Sequence, residues 1–138
     1  MDLKLVMQYP ELMKGFEEHL IKELATESLL FYKDASEWKS KYDGNTPAQN
    51  LGKARSLYKE YVQAGSVLEI NISSDMRSDL EVQVMTKDNV ERTVFDAALK
   101  EMAFMLQTGP LNRFTSTAEY ASIVEKLGLT ATTTAEEA

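Results

Sequence analysis

The stretch DGNTPAQNLGKARSLYKEYVQAG, residues 43–65, decides the fold class. It opens with turn residues and a capping box, in which Thr46 is followed three positions later by Gln49 and Pro47 takes the first helical position. Apolar residues then recur at helical spacing as far as Gly65, a residue type that commonly ends helices. The stretch therefore predicts one complete amphipathic helix with its own start and stop.

The same periodicity continues on both sides of this helix. The further predicted helices cover residues 10–24, 27–42, 74–85, 88–106 and 116–128. The last of them begins at a second capping box, Ser116 with Glu119, and ends at Gly128. The aromatic residues expected to pack in the core are Phe31, Trp38, Tyr58, Tyr61, Phe95, Phe104 and Phe114.

One segment departs from the helical pattern. The residues VLEINI, 67–72, alternate like a strand, but the sequence offers no second strand to pair with them. We therefore expect an extended loop between helices, with Leu68, Ile70 and Ile72 turned inward and Glu69 and Asn71 facing out. The predicted fold is an all-α single domain.

Composition excludes several classes of function. The 138 residues suit one soluble domain, with 43% hydrophobic and 27% charged residues. The lack of cysteine excludes disulfides, thiolate metal sites and a cysteine nucleophile. A net charge of −7 disfavours binding to the phosphates of nucleic acid. No apolar run reaches the roughly 20 residues that cross a bilayer. The one histidine, His19, is expected to be a solvated surface residue, so we predict no metal, cofactor or catalytic chemistry of the chain's own. The N-terminal residues lack the pattern of a signal peptide, and we therefore expect a cytoplasmic protein.

Four stretches, taken in order, resemble the regulator of G-protein signalling (RGS) domain family. HLIKELATESLLFYKDASEWK (19–39) is similar to the junction of the family's second and third helices. KARSLYKEYVQAGSVLEINISSDMR (53–77) resembles its fourth helix, its apolar-x-Asn loop and the Arg of the next helix. VFDAALKEMAFML (94–106) matches the Phe-Asp-x-Ala helix and NRFTSTAEY (112–120) the Arg-Phe-x-x-Ser-x-x-Tyr motif. The resemblance covers about residues 10–125.

The resemblance implies the RGS-type fold, with about nine helices in two lobes and a central four-helix bundle. On this basis the domain covers residues 1–128. The terminal lobe is built from about 1–42 and 116–128, and the bundle lobe from about 46–115. Residues 129–138, rich in Thr, Ala and Glu, have little to bury and are expected to form a flexible tail.

The resemblance also implies a function. RGS domains bind the switch regions of a heterotrimeric G-protein α subunit (Gα) in its GTP or transition-state form and accelerate GTP hydrolysis, which terminates signalling. The chain would then be an activator of a partner enzyme and not an enzyme itself. It would act as a monomer at the inner face of the membrane, recruited through its partner or through flanking domains.

Eight residues occupy the positions at which the family contacts Gα. They are Glu27, Ser28, Glu69, Asn71, Ser73, Met105, Gly109 and Arg113. Several have simpler explanations: Asn71 could stabilise its loop as an Asx turn, and Glu27 could serve only the helix N-terminus. In the same way, Glu69 could be an ordinary exposed loop glutamate and Arg113 an ordinary surface arginine.

Three of these positions depart from the family pattern. Ser28 replaces an asparagine, Ser73 replaces an aspartate, and Gly109 replaces the aspartate that the family arginine braces. We therefore expect Arg113 to lack its orienting partner. The departures keep two alternatives open, a non-catalytic RGS-homology scaffold and a general helical protein-interaction module.

Overall fold

The computed structural model describes residues 2–129, and within that range the secondary structure is helical, with no β-strand. The α-helices are α1 (Leu3–Gln8), α2 (Pro10–Glu23), α3 (Thr26–Ser40), α4 (Pro47–Leu57), α5 (Ser74–Leu80), α6 (Asp96–Thr108), α7 (Pro110–Phe114) and α8 (Ala118–Lys126). A 3₁₀ turn, Tyr42–Gly44, follows α3. Two π-helical turns, Tyr58–Val62 and Glu81–Met85, prolong α4 and α5. The all-α prediction is confirmed.

The start of α4 forms as predicted. The Thr46 hydroxyl accepts a hydrogen bond from the Gln49 N–H at 3.2 Å, and the Gln49 side chain accepts one from the Thr46 N–H at 2.9 Å. This capping box satisfies two N–H groups that a helix start otherwise leaves unpaired. Beyond the π-helical turn, Gly65 takes a φ of +86°, which turns the chain into the loop that follows.

The helix predicted over 88–106 begins only at Asp96. Residues 88–95 form turns instead, because their neighbours hold them in that shape. The Tyr42 hydroxyl donates to the Val90 carbonyl at 2.6 Å, and Arg92 pairs with Asp43 while lying over the Tyr42 ring. These contacts bury Val90. They stabilise the turns more than the helical spacing of the sequence stabilises a helix.

The second predicted capping box is wrong by one residue. Thr117, and not Ser116, caps α8, since its hydroxyl accepts from the Tyr120 N–H at 3.2 Å. The same hydroxyl donates to the Phe114 carbonyl at 2.7 Å, which ties the cap to the end of α7. The short helices α1 and α7 were not predicted.

The described chain divides into two compact units. The continuous unit runs from Glu27 to Met102 and contains α3, α4, α5 and the first half of α6. Its core is an aromatic cluster in which Phe31 packs edge-on against Tyr61 and Phe95, with ring centroids 5.6 and 6.0 Å apart. Trp38 packs against Phe95 at 5.3 Å, and its indole N–H donates to the Asn50 carbonyl at 3.1 Å.

The other unit combines the two ends of the chain, up to Thr26 and from Ala103 onward. Here α2 packs against α1, α7 and α8, and the Phe114 ring lies 5.6 Å from Phe16 and 5.5 Å from Tyr120. Phe104, expected in the core, is 69% exposed. None of the described helices is long and apolar enough to span a membrane.

The boundaries of the two units differ from those expected for the lobes. Helix α3 belongs to the continuous unit, although residues 27–42 were assigned to the terminal lobe. Residues 103–115 belong to the unit formed by the chain ends, although they were assigned to the bundle. The physical reason is the aromatic cluster, which holds α3 through Phe31 and Trp38. Of the predicted tail, residues 130–138 lie outside the described part of the chain.

Candidate functional site

In the continuous unit, the loop before α5 carries the candidate residue Asn71. The prediction for this loop holds at three of its five positions, since Ile70 and Ile72 are buried and Asn71 is exposed. Leu68, expected inside, and Glu69, expected outside, are both half-buried. Within residues 2–129 the Asn71 side chain makes no hydrogen bond, so the loop-stabilising Asx turn is not formed. The amide therefore presents an acceptor and two N–H donors to solvent.

Arg77 of α5 braces this loop from its buried side. Its Nε donates to the Val62 carbonyl at 2.8 Å and its Nη2 to the Ile70 carbonyl at 3.4 Å, while the same Nη2 lies 2.9 Å from a Glu69 carboxylate oxygen. The Ile70 N–H also donates to the Tyr61 carbonyl at 2.8 Å. The residues on the N-terminal side of Asn71 are therefore tied both to the end of α4 and to α5.

Glu69 and Ser73, two of the predicted contact residues, also have structural partners. Besides Arg77, the Glu69 carboxylate accepts a hydrogen bond from the Gly65 N–H at 2.9 Å. The Ser73 hydroxyl accepts from the Met76 N–H at 3.1 Å and caps α5. Both side chains therefore shape the loop that displays Asn71.

The start of α3 holds the remaining two candidates of this unit. Glu27 lies half-buried in the first turn, where its negative charge is favourable at the positive end of the helix dipole. Ser28 is only 1% exposed. That burial counts against the expected direct contact between Ser28 and a partner, and we leave Ser28 out of the candidate surface.

In the unit formed by the chain ends, Met105, Gly109 and Arg113 follow one another along α6 and α7. The Gly109 N–H donates to the Met105 carbonyl and the Arg113 N–H to the Gly109 carbonyl, each at 3.1 Å. Met105 and Gly109 are half-buried, whereas Arg113 is exposed.

The expectation that Arg113 lacks an orienting partner is wrong. Its Nε lies 3.1 and 3.0 Å from the two carboxylate oxygens of Glu23 in α2, and its Nη2 lies 2.6 Å from the first of them. The hydrogen bond from Arg113 is the largest effect on the Glu23 carboxyl and holds its pKa below the usual range. Burial opposes this shift, and His19 adds a smaller effect in the same direction as Arg113. The carboxylate is therefore charged at neutral pH.

His19 is not the solvated surface residue that we expected. Its Nε2 contacts the second Glu23 oxygen, and its ring lies 5.7 Å from that of Phe114. The imidazole is thus held between the Glu23 carboxylate and a buried aromatic ring. His19, Glu23 and Arg113 form a continuous polar chain across α2 and α7, which we call the Arg113 triad.

Leu24, directly after Glu23, is an exposed apolar residue in a strained conformation. It ends α2 in the left-handed region, with φ of 57° and ψ of 41°, and its side chain is 87% exposed. The Leu24 N–H donates to the Ile21 carbonyl and the Ala25 N–H to the Leu20 carbonyl, the pattern in which glycine is the usual residue. The strain of the leucine is therefore not offset by burial within the described chain.

Replacing Leu24 by glycine is expected to stabilise the fold by about 1 kcal/mol, because it relieves the left-handed strain and removes no buried contact. Urea unfolding measures the change. Leu24→Asn is the control, since asparagine also tolerates this conformation and should stabilise the fold in the same direction. A destabilised Leu24→Gly variant would contradict the argument.

Sequence reasoning missed Glu23, His19 and Leu24 as parts of the candidate surface. Glu23 and Arg113 are separated by 90 residues along the chain, so that no local pattern pairs them. Leu24 could have been noticed in the sequence, because this leucine ends a predicted helix at a position that glycine usually occupies.

Two further observations concern metal ligands and cavities among the described residues. Residues 2–129 contain no group of three or more His, Asp or Glu side chains placed to hold a metal ion. A cleft of about 690 Å³ lies between α2 and α8, and its walls include Gly15, Lys22, Phe114 and Ile123.

Comparison with known proteins gives the family of this fold. Residues 2–123 match the model of the regulator of G protein signaling domain. The chain is 28% identical over 104 residues to "Regulator of G-protein signaling rgs-3" of Caenorhabditis elegans, an alignment that covers 75% of this chain and 28% of that protein. It is 26% identical over 124 residues to human "Regulator of G-protein signaling 20", and this alignment covers 88% of this chain and 30% of that protein.

The chain therefore belongs to the RGS domain family. It spans less than a third of the length of these two relatives. The resemblance read from the four sequence stretches is confirmed.

Proposed function

We propose that this domain regulates G-protein signalling by binding a Gα subunit and accelerating the hydrolysis of its bound GTP. The domain is then a GTPase activator and not an enzyme, and it works as a monomer wherever Gα resides at the inner face of the membrane. Family membership supports the general role, and the free amide of Asn71 supports the specific one.

A domain without catalytic residues can do this because Gα holds its own transition-state arginine. The activator needs only to bind the transition-state arrangement of the mobile switch segments more tightly than the GTP ground state. A hundredfold acceleration corresponds to a preference of about 2.7 kcal/mol. Two hydrogen bonds to charged or backbone groups can supply a preference of that size.

Asn71 fits the requirements of such a contact. A neutral amide can both donate to and accept from a switch segment without placing a charge near the phosphates. Its neighbours Ile70 and Ile72 are buried, and Arg77 holds the loop in place. In this proposal Glu27 and Ser73 add contacts in the same unit, while Glu69 keeps the loop in shape.

The unit formed by the chain ends contributes its own contacts. Arg113 provides a cationic donor group held by Glu23, and Leu24 provides apolar surface next to that pair. Met105 adds a half-buried apolar side chain, and Gly109, whose N–H donates to the Met105 carbonyl, is half-buried too. In this unit a cationic donor group therefore lies beside apolar surface, a combination suited to a protein partner.

Single-turnover GTP hydrolysis by Gα, with and without this domain, tests the proposal. We expect the wild-type domain to raise the rate and Asn71→Ala to reduce the acceleration by about tenfold to a hundredfold, because one or two hydrogen bonds to the transition state are lost. Asn89→Ala is the matched control, since Asn89 is an exposed asparagine of the same unit outside the candidate surface. An unchanged rate with the wild-type domain refutes activation.

The second candidate is a scaffold that binds Gα without accelerating hydrolysis. It is favoured by Gly109 and Ser73, which leave two contact positions without a carboxylate. Binding to Gα·GDP·AlF₄⁻, a transition-state mimic, separates the two functions. An activator prefers this form to Gα with a GTP analogue, whereas equal binding to both forms indicates the scaffold.

A further inference from the structure

We propose that Glu23 is a positioning residue that orients Arg113 for its contact with the partner, with His19 in turn orienting Glu23. This inference rests on the proposed function, because it assigns the device that prepares one of the contacts. It concerns only the unit formed by the chain ends, in which all three residues lie.

The geometry of the Glu23–Arg113 pair is that of an orienting clamp. Two nitrogens of the guanidinium, Nε and Nη2, bind one carboxylate at 2.6 to 3.1 Å, which fixes both the position and the plane of the group. The Arg113 side chain is 61% exposed and that of Glu23 21% exposed. Since exposed ion pairs contribute little to stability, fixing the direction of Arg113 is the more important effect of this pair.

Glu23 is itself held from the opposite side. His19 contacts the carboxylate oxygen that accepts only one bond from Arg113, and the His19 ring rests on Phe114. Phe114 is buried and follows Arg113 directly in α7. The two helices are therefore joined twice, by a polar contact at Glu23 and by a ring contact at Phe114, so the carboxylate has little freedom to turn away.

The clamp leaves part of the guanidinium available. Arginine carries five N–H donors, and Glu23 engages only the Nε–H and one N–H of Nη2. The remaining N–H groups, including both of Nη1, can donate to an acceptor oxygen on the partner, such as a backbone carbonyl or a carboxylate. A fixed donor of this kind loses less rotamer freedom on binding than a mobile arginine does.

Gly109 lies beside the Arg113 guanidinium, which offers a direct way to test this role. A Cβ atom built at Gly109 would lie 3.5 Å from Arg113 Nη2, and 3.2 Å from the Met105 carbonyl oxygen. An aspartate at this position would therefore bring a carboxylate to the same guanidinium from another direction. It could replace Glu23 as the orienting group if orientation is what Glu23 provides.

The test measures affinity for Gα·GDP·AlF₄⁻ in a double-mutant cycle. We expect Glu23→Ala to weaken binding about tenfold and Glu23→Gln by less, since glutamine keeps the shape of the side chain and one acceptor. In the Arg113→Ala background, Glu23→Ala should have no further effect. Glu18→Ala, a change at an exposed glutamate of the same helix, is the matched control and should bind like the wild type.

Rescue separates orientation from a general structural role. Gly109→Asp should recover most of the affinity of the Glu23→Ala variant, whereas Gly109→Ala, which adds the same Cβ without a carboxylate, should not. Urea unfolding of each variant shows that the compared proteins are folded.

The inference is overturned if Glu23→Ala binds like the wild type, if it weakens binding equally in the absence of Arg113, or if Gly109→Asp fails to rescue it. In each of these cases the wild-type domain still binds Gα and the proposed function stands. If the wild-type domain binds no form of Gα, the proposed function fails and this inference fails with it.

Discussion

Phe95→Ala is expected to lower the free energy of unfolding by about 3–5 kcal/mol, the usual range for removing a buried phenylalanine. Phe95 is 1% exposed and joins two parts of the aromatic cluster, because its ring packs against both Phe31 and Trp38. Domains of this size are stable by only about 5–15 kcal/mol, so this single change removes a large share of the total. Urea unfolding followed by the fluorescence of Trp38, the one tryptophan of the chain, measures it.

Phe104→Ala is the matched control for this prediction. Phe104 is the same residue type in α6 but is 69% exposed, so its removal should change the free energy of unfolding by less than about 0.5 kcal/mol. Equal losses in the two variants would contradict the assignment of Phe95 to the core. The comparison also distinguishes the two positions directly, since both phenylalanines were expected to pack in the core.

If the domain activates Gα as proposed, Arg77→Met is expected to reduce the acceleration of GTP hydrolysis by tenfold or more. It should also lower the free energy of unfolding by about 2–3 kcal/mol. The change keeps the apolar part of the side chain and removes its donors. The Val62 and Ile70 carbonyls then lose a charged partner, and Glu69 loses the cation beside it. Without this brace, the loop no longer holds the Asn71 amide in one place. Single-turnover hydrolysis and urea unfolding measure the two effects.

Arg55→Met controls for the loss of stability. Arg55 binds the Val84 and Lys87 carbonyls at 3.1 and 3.0 Å, so it makes the same kind of brace in the same unit but on a different loop. We expect a comparable loss of stability with no change in activation. If both variants lose activation to the same extent, the effect of Arg77 is a general weakening of the fold and not a local effect on Asn71.

The parts of the fold that the sequence predicts well are those determined by local interactions. The capping box at Thr46 and the alternation of Ile70, Asn71 and Ile72 each involve residues a few positions apart, so the linear sequence contains the whole cause. The helix predicted to begin at residue 88 fails for the opposite reason. The Tyr42 hydroxyl, 48 residues away from Val90, holds that segment in turns, and no helical spacing reveals it.

The residues of the candidate site also divide into those that the local sequence predicts and those whose surroundings depend on packing between distant segments. Asn71 was predicted because its loop carries a short motif, and its exposure agrees with that prediction. The partner of Arg113 was not predicted because Glu23 reaches it only once α2 and α7 have packed together. Ser28 shows the converse, since its place in the motif indicated a contact residue and packing has buried it.

The brace beneath the Asn71 loop has a consequence for how binding proceeds. A loop that is mobile before binding loses conformational entropy when it is fixed, and this costs about 1–2 kcal/mol for the backbone of each residue. The backbone part of this cost has largely been met during folding, because Arg77 and the two buried isoleucines restrict the backbone around Asn71. The loop is therefore preorganised. In the proposed complex with Gα, the disorder removed on association is mainly that of the flexible switch segments of Gα.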